Sequence, residues 1–229
     1  MNIEVMKQRA AAHALTYVRD HMRIGLGTGS TAAYFITLLG QALREGTLHD
    51  VIGVPTSERT AALAQAAGIP LTTLDEIPHL NLAVDGADEV DPQLNLIKGR
   101  GHALVREKIV AVHADRFIVI VDTRKTVDKL GNQGPLPVEI LPFGAKAHVR
   151  WLESLGCRAE WVLNPDGSPR RSDNGNFLVW CHFAGGIEHP EALERTLNDR
   201  PGIVGHGLFL HMAHVVIIGT SKGVEVKIP

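Results

Sequence analysis

LNLAVDGADEVD, residues 80–91, runs from an apolar segment straight into four carboxylates within seven residues. Acidic groups crowded this closely repel one another unless they face water or serve a purpose. The run from Leu80 to Val84 reads as a buried strand, which puts Asp85 at its carboxyl end. Gly86 and Ala87 then permit a tight turn that brings Asp88 back beside Asp85, while Glu89 and Asp91 are expected to face water. An acidic surface turn is the commoner fate of such a cluster, but it leaves the small-residue spacer at a strand end unexplained.

Other segments repeat the same texture. RIGLG, VIGVP, RFIVIVD and HVVIIGT read as strands, and they end in the polar stretches TGST, TSERT, TRK and SKG. Helical patterns lie between them, beginning with an N-terminal helix over about 3–20, so the fold class is α/β with a Rossmann-like parallel sheet. In such sheets ligands bind beyond the carboxyl ends of the strands, where these polar stretches would gather. From about 136 to 210 the pattern changes to strand (LPVEILPF), helix stopped by Gly156 (AKAHVRWLESLG), a strand pair (CRAEWVL, FLVWCHF) around NPDGSPRRSDNGN, helix (HPEALERTLNDRPG) and a last strand near VGHGLFL. That order predicts a smaller inserted α+β domain of ferredoxin-like type over 136–210, with 1–135 and 211–229 forming the Rossmann-like domain.

The 229 residues are 45% hydrophobic, enough for one large core or two modest ones. Lys and Arg number 23 against 25 Asp and Glu, with no long run of either sign, which argues against a nucleic-acid footprint or a polybasic membrane patch and for a small-molecule partner. The N-terminus lacks the apolar core and cleavage site of a signal peptide, and no apolar run approaches bilayer length. Cys157 and Cys181 sit in strand-like segments and read as two buried thiols, so a cytoplasmic location is expected. The 12 histidines form no metal-binding constellation; His211 and His214 fall in a strand-like run that points them to opposite faces.

GLGTGSTAAYF, residues 25–35, follows a strand and opens a helix, where backbone amides favour an anion. Gly27 to Ala32 fits a dinucleotide fingerprint, but the ribose-binding acidic residue is missing after VIGV, and no Lys follows as in a Walker loop. The hydroxyls of Thr28, Ser30 and Thr31 suit a single phosphate; the alternative is an ordinary Ser/Thr helix cap on a glycine turn. Further on, LIKGRGHALVREKIVAV places Lys98 before a glycine-rich turn and puts Ala103, Glu107 and Ala111 on one helical stripe. A carboxylate on that face is costly unless it is paired in a salt bridge or used as a base. Hard cations take carboxylates, yet no further ligand set stands near Asp85 and Asp88.

Together GLGTGSTA, TSERT, VDGADEVD, KGRGHALVREKIV and VDTRKTVDKLG closely resemble type A ribose-5-phosphate isomerase, and the likeness continues through LPVEILP, SDNGN and PGIVGHGLF to IIGT. The resemblance implies interconversion of D-ribose 5-phosphate and D-ribulose 5-phosphate in the non-oxidative pentose phosphate pathway, without metal or organic cofactor, by a homodimer or homotetramer. It implies that Thr28, Gly29, Ser30 and Thr31 form a substrate loop, and that Asp85, Gly86, Ala87 and Asp88 line the sugar. It assigns Lys98, Gly99, Arg100 and Gly101 to the same pocket, Glu107 to proton acceptor, Lys125 to substrate binding and Lys7 to a phosphate contact. Many members have an all-glycine turn where this chain has Arg100 and His102, positions at which a positive φ would be strained. Competing readings are a non-catalytic sugar-phosphate sensor, for which the chain has no spare DNA-binding segment, and another sugar-phosphate enzyme such as an amino-sugar phosphate deaminase or a coenzyme A transferase.

Overall fold

The computed structural model describes residues 2–229. In chain order the elements are α1 (Ile3–Leu15), β1 (Arg23–Leu26), α2 (Ser30–Arg44), β2 (Ile52–Pro55), α3 (Glu58–Ala66), β3 (Leu82–Asp85), β4 (Glu89–Val90), β5 (Leu96–Ile97), α4 (Leu104–Val112) and β6 (Phe117–Asp122). After a 3₁₀ turn (Thr123–Lys125) come β7 (Leu136–Ile140), α5 (Ala145–Glu153), β8 (Arg158–Trp161), β9 (Phe177–His182), α6 (Pro190–Asn198), β10 (Ile203–His206), β11 (Leu208–Phe209), β12 (Val215–Gly219) and β13 (Val224–Lys227).

The chain divides into two compact units. The first comprises residues up to Ala87, Arg106–Lys125 and His211–Pro229. Its six-stranded sheet has the order β13-β12-β6-β3-β1-β2, parallel throughout except for β13, which pairs antiparallel on the β12 edge. Strands β3, β6 and β12 are buried along their whole length, as their LAVD, FIVIVD and VVIIG sequences require of strands covered on both faces. The winding reverses between β1 and β3, the kind of switch point at which open α/β sheets bind ligands. β13 escapes the sequence reading because its VEVK run is short and half polar.

Helix α1 lays Ala10, Ala11 and Ala14 into the core of this unit. Small residues let it approach closely: a Cβ on Gly219 would lie 1.9 Å from the Met6 carbonyl oxygen. The helix stops at Leu15, short of the expected 20. The amides of Thr16, Tyr17 and Val18 bond back only three residues, and the Thr16 hydroxyl donates to the His13 carbonyl, so the last turn tightens and unwinds.

The second unit comprises Asp88–Val105 and Thr126–Leu210. Its four-stranded antiparallel sheet has the order β10-β7-β9-β8, which with α5 and α6 is the βαββαβ arrangement of a ferredoxin-like domain. Val138, Ile140, Leu152, Val179 and Leu197 anchor its core. Cys157 and Cys181 are free and buried among these residues, and the Cys157 thiol donates to the Leu152 carbonyl. This unit is wider than 136–210 because β4 and β5 join β11 in a three-stranded antiparallel sheet, drawing the segment after Asp88 into it. No helix among the described residues is long and apolar enough to cross a membrane.

The contact of α1 with the end of β12 makes a stability prediction. Gly219→Ala drives a methyl into the Met6 carbonyl and should cost about 1–3 kcal/mol in urea unfolding. Gly223→Ala, where an added Cβ meets nothing within 4 Å, should leave the midpoint unchanged. Equal midpoints for the two variants would show that α1 is not packed as described.

Candidate functional site

In the first unit Thr28, Gly86 and Glu107 gather around Asp85. Its carboxylate is only 3% exposed, and Oδ1 accepts from the Thr28 amide at 2.9 Å and the Gly86 amide at 2.7 Å. The strand carries Asp85 to this point, and Gly27 lets the β1 loop reach it, since a Cβ there would fall 2.2 Å from Oδ1. Glu107, 3% exposed on α4, lines the same tight enclosed space as Asp85, with Gly25, Gly27, Thr56, Val110 and Ala111 around them. Of the stripe predicted for that helix, Ala111 lines this space with Glu107, whereas Ala103 precedes the helix.

Thr28 does not act as expected from the loop sequence. Its hydroxyl is turned inward, 2.7 Å from Thr56 Oγ1, 2.8 Å from Ser57 Oγ and 3.0 Å from Thr60 Oγ1. The Thr56 hydroxyl donates to the Leu26 carbonyl, the Thr60 hydroxyl to the Gly27 carbonyl, and the Ser57 hydroxyl to Thr60 Oγ1. With those three protons committed, the web is completed by the Thr28 hydroxyl donating into it. Both donors of Thr28 therefore face protein, and what the loop presents to an anion is the start of α2. Gly29 is the N-cap at φ +133° with no side-chain capping bond, Ser30 is exposed and Thr31 is buried. Thr60 is absent from the residues expected from sequence, although Ser57 as N-cap accepting from the Thr60 amide is a recognisable helix start.

The two outlying lysines differ. Lys125 ends the 3₁₀ turn after β6 and is half-buried. Lys7 lies 2.9 Å from Glu4 Oε1, and Glu4 Oε2 accepts from the Tyr34 hydroxyl at 2.7 Å. The Lys7 ammonium and the Tyr34 hydroxyl hold the Glu4 carboxyl below its ordinary range.

In the second unit, Asp88 Oδ2 accepts from the Arg100 amide at 2.9 Å, and the Asp88 amide donates to the Ile97 carbonyl. Lys98 is 2% exposed; its amide donates to the Gly207 carbonyl, and its ammonium lies 5.4 Å from the centre of the Phe209 ring. Within the turn, Gly99 takes φ +101° and packs against Leu104, Gly101 is exposed, and Arg100 avoids positive φ. His102 does adopt φ +73°, a strain on the order of 1 kcal/mol, with its ring 5.6 Å from that of Trp180. The turn therefore needs its glycine at 99 and tolerates side chains at 100 and 102.

Glu89 and Asp91 do not face water. Glu89 is fully buried, accepting from Arg100, Gly131 and Gln133. Asp91 is buried in a turn of its own, accepting from the amides of Gln93 and Asn95. Nor do His211 and His214 lie in a strand: both precede β12, His211 at φ +55° and His214 accepting from the Phe117 amide. Among the described residues, no group of three or more His, Cys, Asp or Glu side chains is arranged to hold a metal ion.

Known proteins resemble this chain over nearly its whole length. The family model for ribose 5-phosphate isomerase A (phosphoriboisomerase A) matches residues 52–223. Ribose-5-phosphate isomerase A of Roseiflexus sp. (strain RS-1) is 50% identical over 98% of this chain and 96% of its own length. The Thermococcus kodakarensis protein of the same name is 49% identical over 98% of both chains. A solved structure of D-ribose-5-phosphate isomerase in complex with phospho-erythronic acid is 46% identical over the whole of both chains, with a TM-score of 0.97. The chain belongs to the ribose 5-phosphate isomerase A family.

Proposed function

We propose that the chain interconverts D-ribose 5-phosphate and D-ribulose 5-phosphate, the reaction named by its relatives. The observation that carries this reading is the near-full-length identity of about half with proteins of that name. A relative held with phospho-erythronic acid, a phosphorylated sugar acid, supports a sugar phosphate as the ligand class.

Moving the carbonyl between carbons 1 and 2 requires ring opening, removal of the carbon 2 proton, and its return at carbon 1 through an enediolate. In our reading Glu107 is the single carboxylate that takes and returns that proton. Glu107 is 3% exposed, so its carboxylate is largely withdrawn from bulk water. Lys98 stabilises charge developing on the sugar oxygens; nearly all of its side chain is withdrawn from water, where such an interaction is strongest. Asp85 and Asp88 handle sugar hydroxyl protons during ring opening and hold the open chain. The phosphate is remote from the reacting carbons and supplies orientation; we assign it to the start of α2, Lys125 and Lys7, the last of which would have to exchange Glu4 for phosphate. We further place the enzyme in the cytoplasm, in the non-oxidative pentose phosphate pathway, as a homodimer or homotetramer.

None of these steps calls for a metal. Purified protein should retain full isomerase activity in a strong chelator; activity lost there and restored specifically by a divalent cation would contradict the mechanism. Lys125→Ala should raise KM for ribose 5-phosphate far more than it affects any detectable turnover of unphosphorylated ribose, read by parallel kinetics on both sugars. Equal effects on the two would remove the phosphate assignment.

A further inference from the structure

Of the carboxylates in VDGADEVD, Glu89 is the most deeply buried, at 0% exposure, and the proposed reaction gives it no step. Burying an ionised carboxylate costs several kcal/mol unless it is paired and hydrogen-bonded. Glu89 is both: Oε1 accepts from Arg100 Nη2 at 2.5 Å and the Gln133 amide at 3.2 Å, and Oε2 from the Gly131 amide at 2.6 Å.

The guanidinium is held in turn. Arg100 Nε donates to the Pro135 carbonyl at 3.2 Å, and Gly134 packs so closely that a Cβ there would lie 2.7 Å from the guanidinium carbon. With its side chain fixed, Arg100 offers its own backbone amide to Asp88 Oδ2 at 2.9 Å. Asp88 and Glu89 are neighbours in the chain, so the contacts close a ring: Asp88 carboxylate, Arg100 amide, Arg100 guanidinium, Glu89 carboxylate, and back along the backbone.

We propose that Arg100, braced by Glu89, is a positioning residue that sets the orientation of the Asp88 carboxylate for the isomerase reaction. This deepens the functional reading above and rests on its assignment of Asp88 to the sugar. A carboxylate that must meet a particular hydroxyl loses effectiveness when it rotates, and misplacement by about 1 Å can cost on the order of 100-fold in rate. The ring prevents that rotation by tying one oxygen to an amide that cannot drift. It also accounts for a non-glycine residue within the Lys98 to Gly101 turn, since the Arg100 side chain supplies an anchor that glycine lacks.

The test is a cycle of Arg100→Met, Asp88→Asn and the double variant, with kcat, KM and melting temperature measured on each using ribose 5-phosphate. Arg100→Met should lower kcat roughly tenfold and change KM less than about threefold, since the phosphate contacts lie elsewhere. Arg100→Lys, which keeps the charge toward Glu89 but loses the bond to Pro135, should recover part of kcat. In the Asp88→Asn background, Arg100→Met should cost less than about twofold, because the group it positions is already gone. The same fold-loss in both backgrounds, or wild-type kcat in Arg100→Met, overturns the proposal. Near-normal turnover in Asp88→Asn alone also overturns it, by removing the role of Asp88 on which it rests. If Arg100→Met does not fold, the cycle is run with Arg100→Lys, and a loss that persists undiminished with Asp88→Asn counts against the proposal.

Discussion

A carboxylate at the end of a buried strand is the constraint around which the first unit is built. Asp85 follows the buried Leu82, Ala83 and Val84 and is itself only 3% exposed, so its charge is met largely by protein dipoles. The amides of Thr28 and Gly86 meet it on one oxygen. To deliver the first of those amides, the β1 loop must pass so near that only glycine fits at 27. The residue after it must then turn its hydroxyl inward, where Thr56, Ser57 and Thr60 receive it. The loop that opens α2 is thus held by Asp85 on one side and by a hydroxyl web on the other, and the helix start it presents is uncapped by any side chain.

The second unit repeats the principle with a cation. Glu89 has no strand-end dipole pair to rely on, and its charge is balanced by Arg100, eleven positions along the chain, and by amides from the loop around Gly131. That balance fixes the turn carrying Lys98 and Gly99. Two neighbouring carboxylates, Asp88 and Glu89, consequently have opposite characters: Asp88 is partly accessible and Glu89 is sealed.

What can be read from sequence follows the range of the interactions. The parallel strands, the ferredoxin-like order and the position of Asp85 are legible because apolar runs and turn residues are local signals. So is the placement of Ala111 one turn from Glu107, a matter of helical spacing, although Ala103 falls before the helix. Glu89 and Asp91 defeat a sequence reading because acidic residues crowded together resemble a solvated turn, and nothing local reveals that Arg100 and Gly131 close over the first or that Asn95 turns back on the second. Thr28 reads as facing outward because a hydroxyl at a helix start commonly does; its partners Thr56, Ser57 and Thr60 come from the next strand and helix. The short strands β4, β5 and β11, two residues each, leave no periodicity to detect.

The mechanism turns on Glu107, which shares its enclosed space with Asp85. Replacing it by Gln keeps the shape and leaves Ala111 undisturbed, but the amide cannot accept a proton at neutral pH. The decisive measurement is NMR of ribose 5-phosphate in D₂O with wild-type protein and with the Glu107→Gln variant, following both conversion and deuterium entry at carbons 1 and 2. We expect the wild type to exchange label into the sugar as it equilibrates. The variant should fold and lose roughly 10²–10⁴ of the conversion rate together with the exchange. A folded variant with near-normal conversion and exchange would make Glu107 a structural residue and move the proton transfer to Asp85 or Asp88.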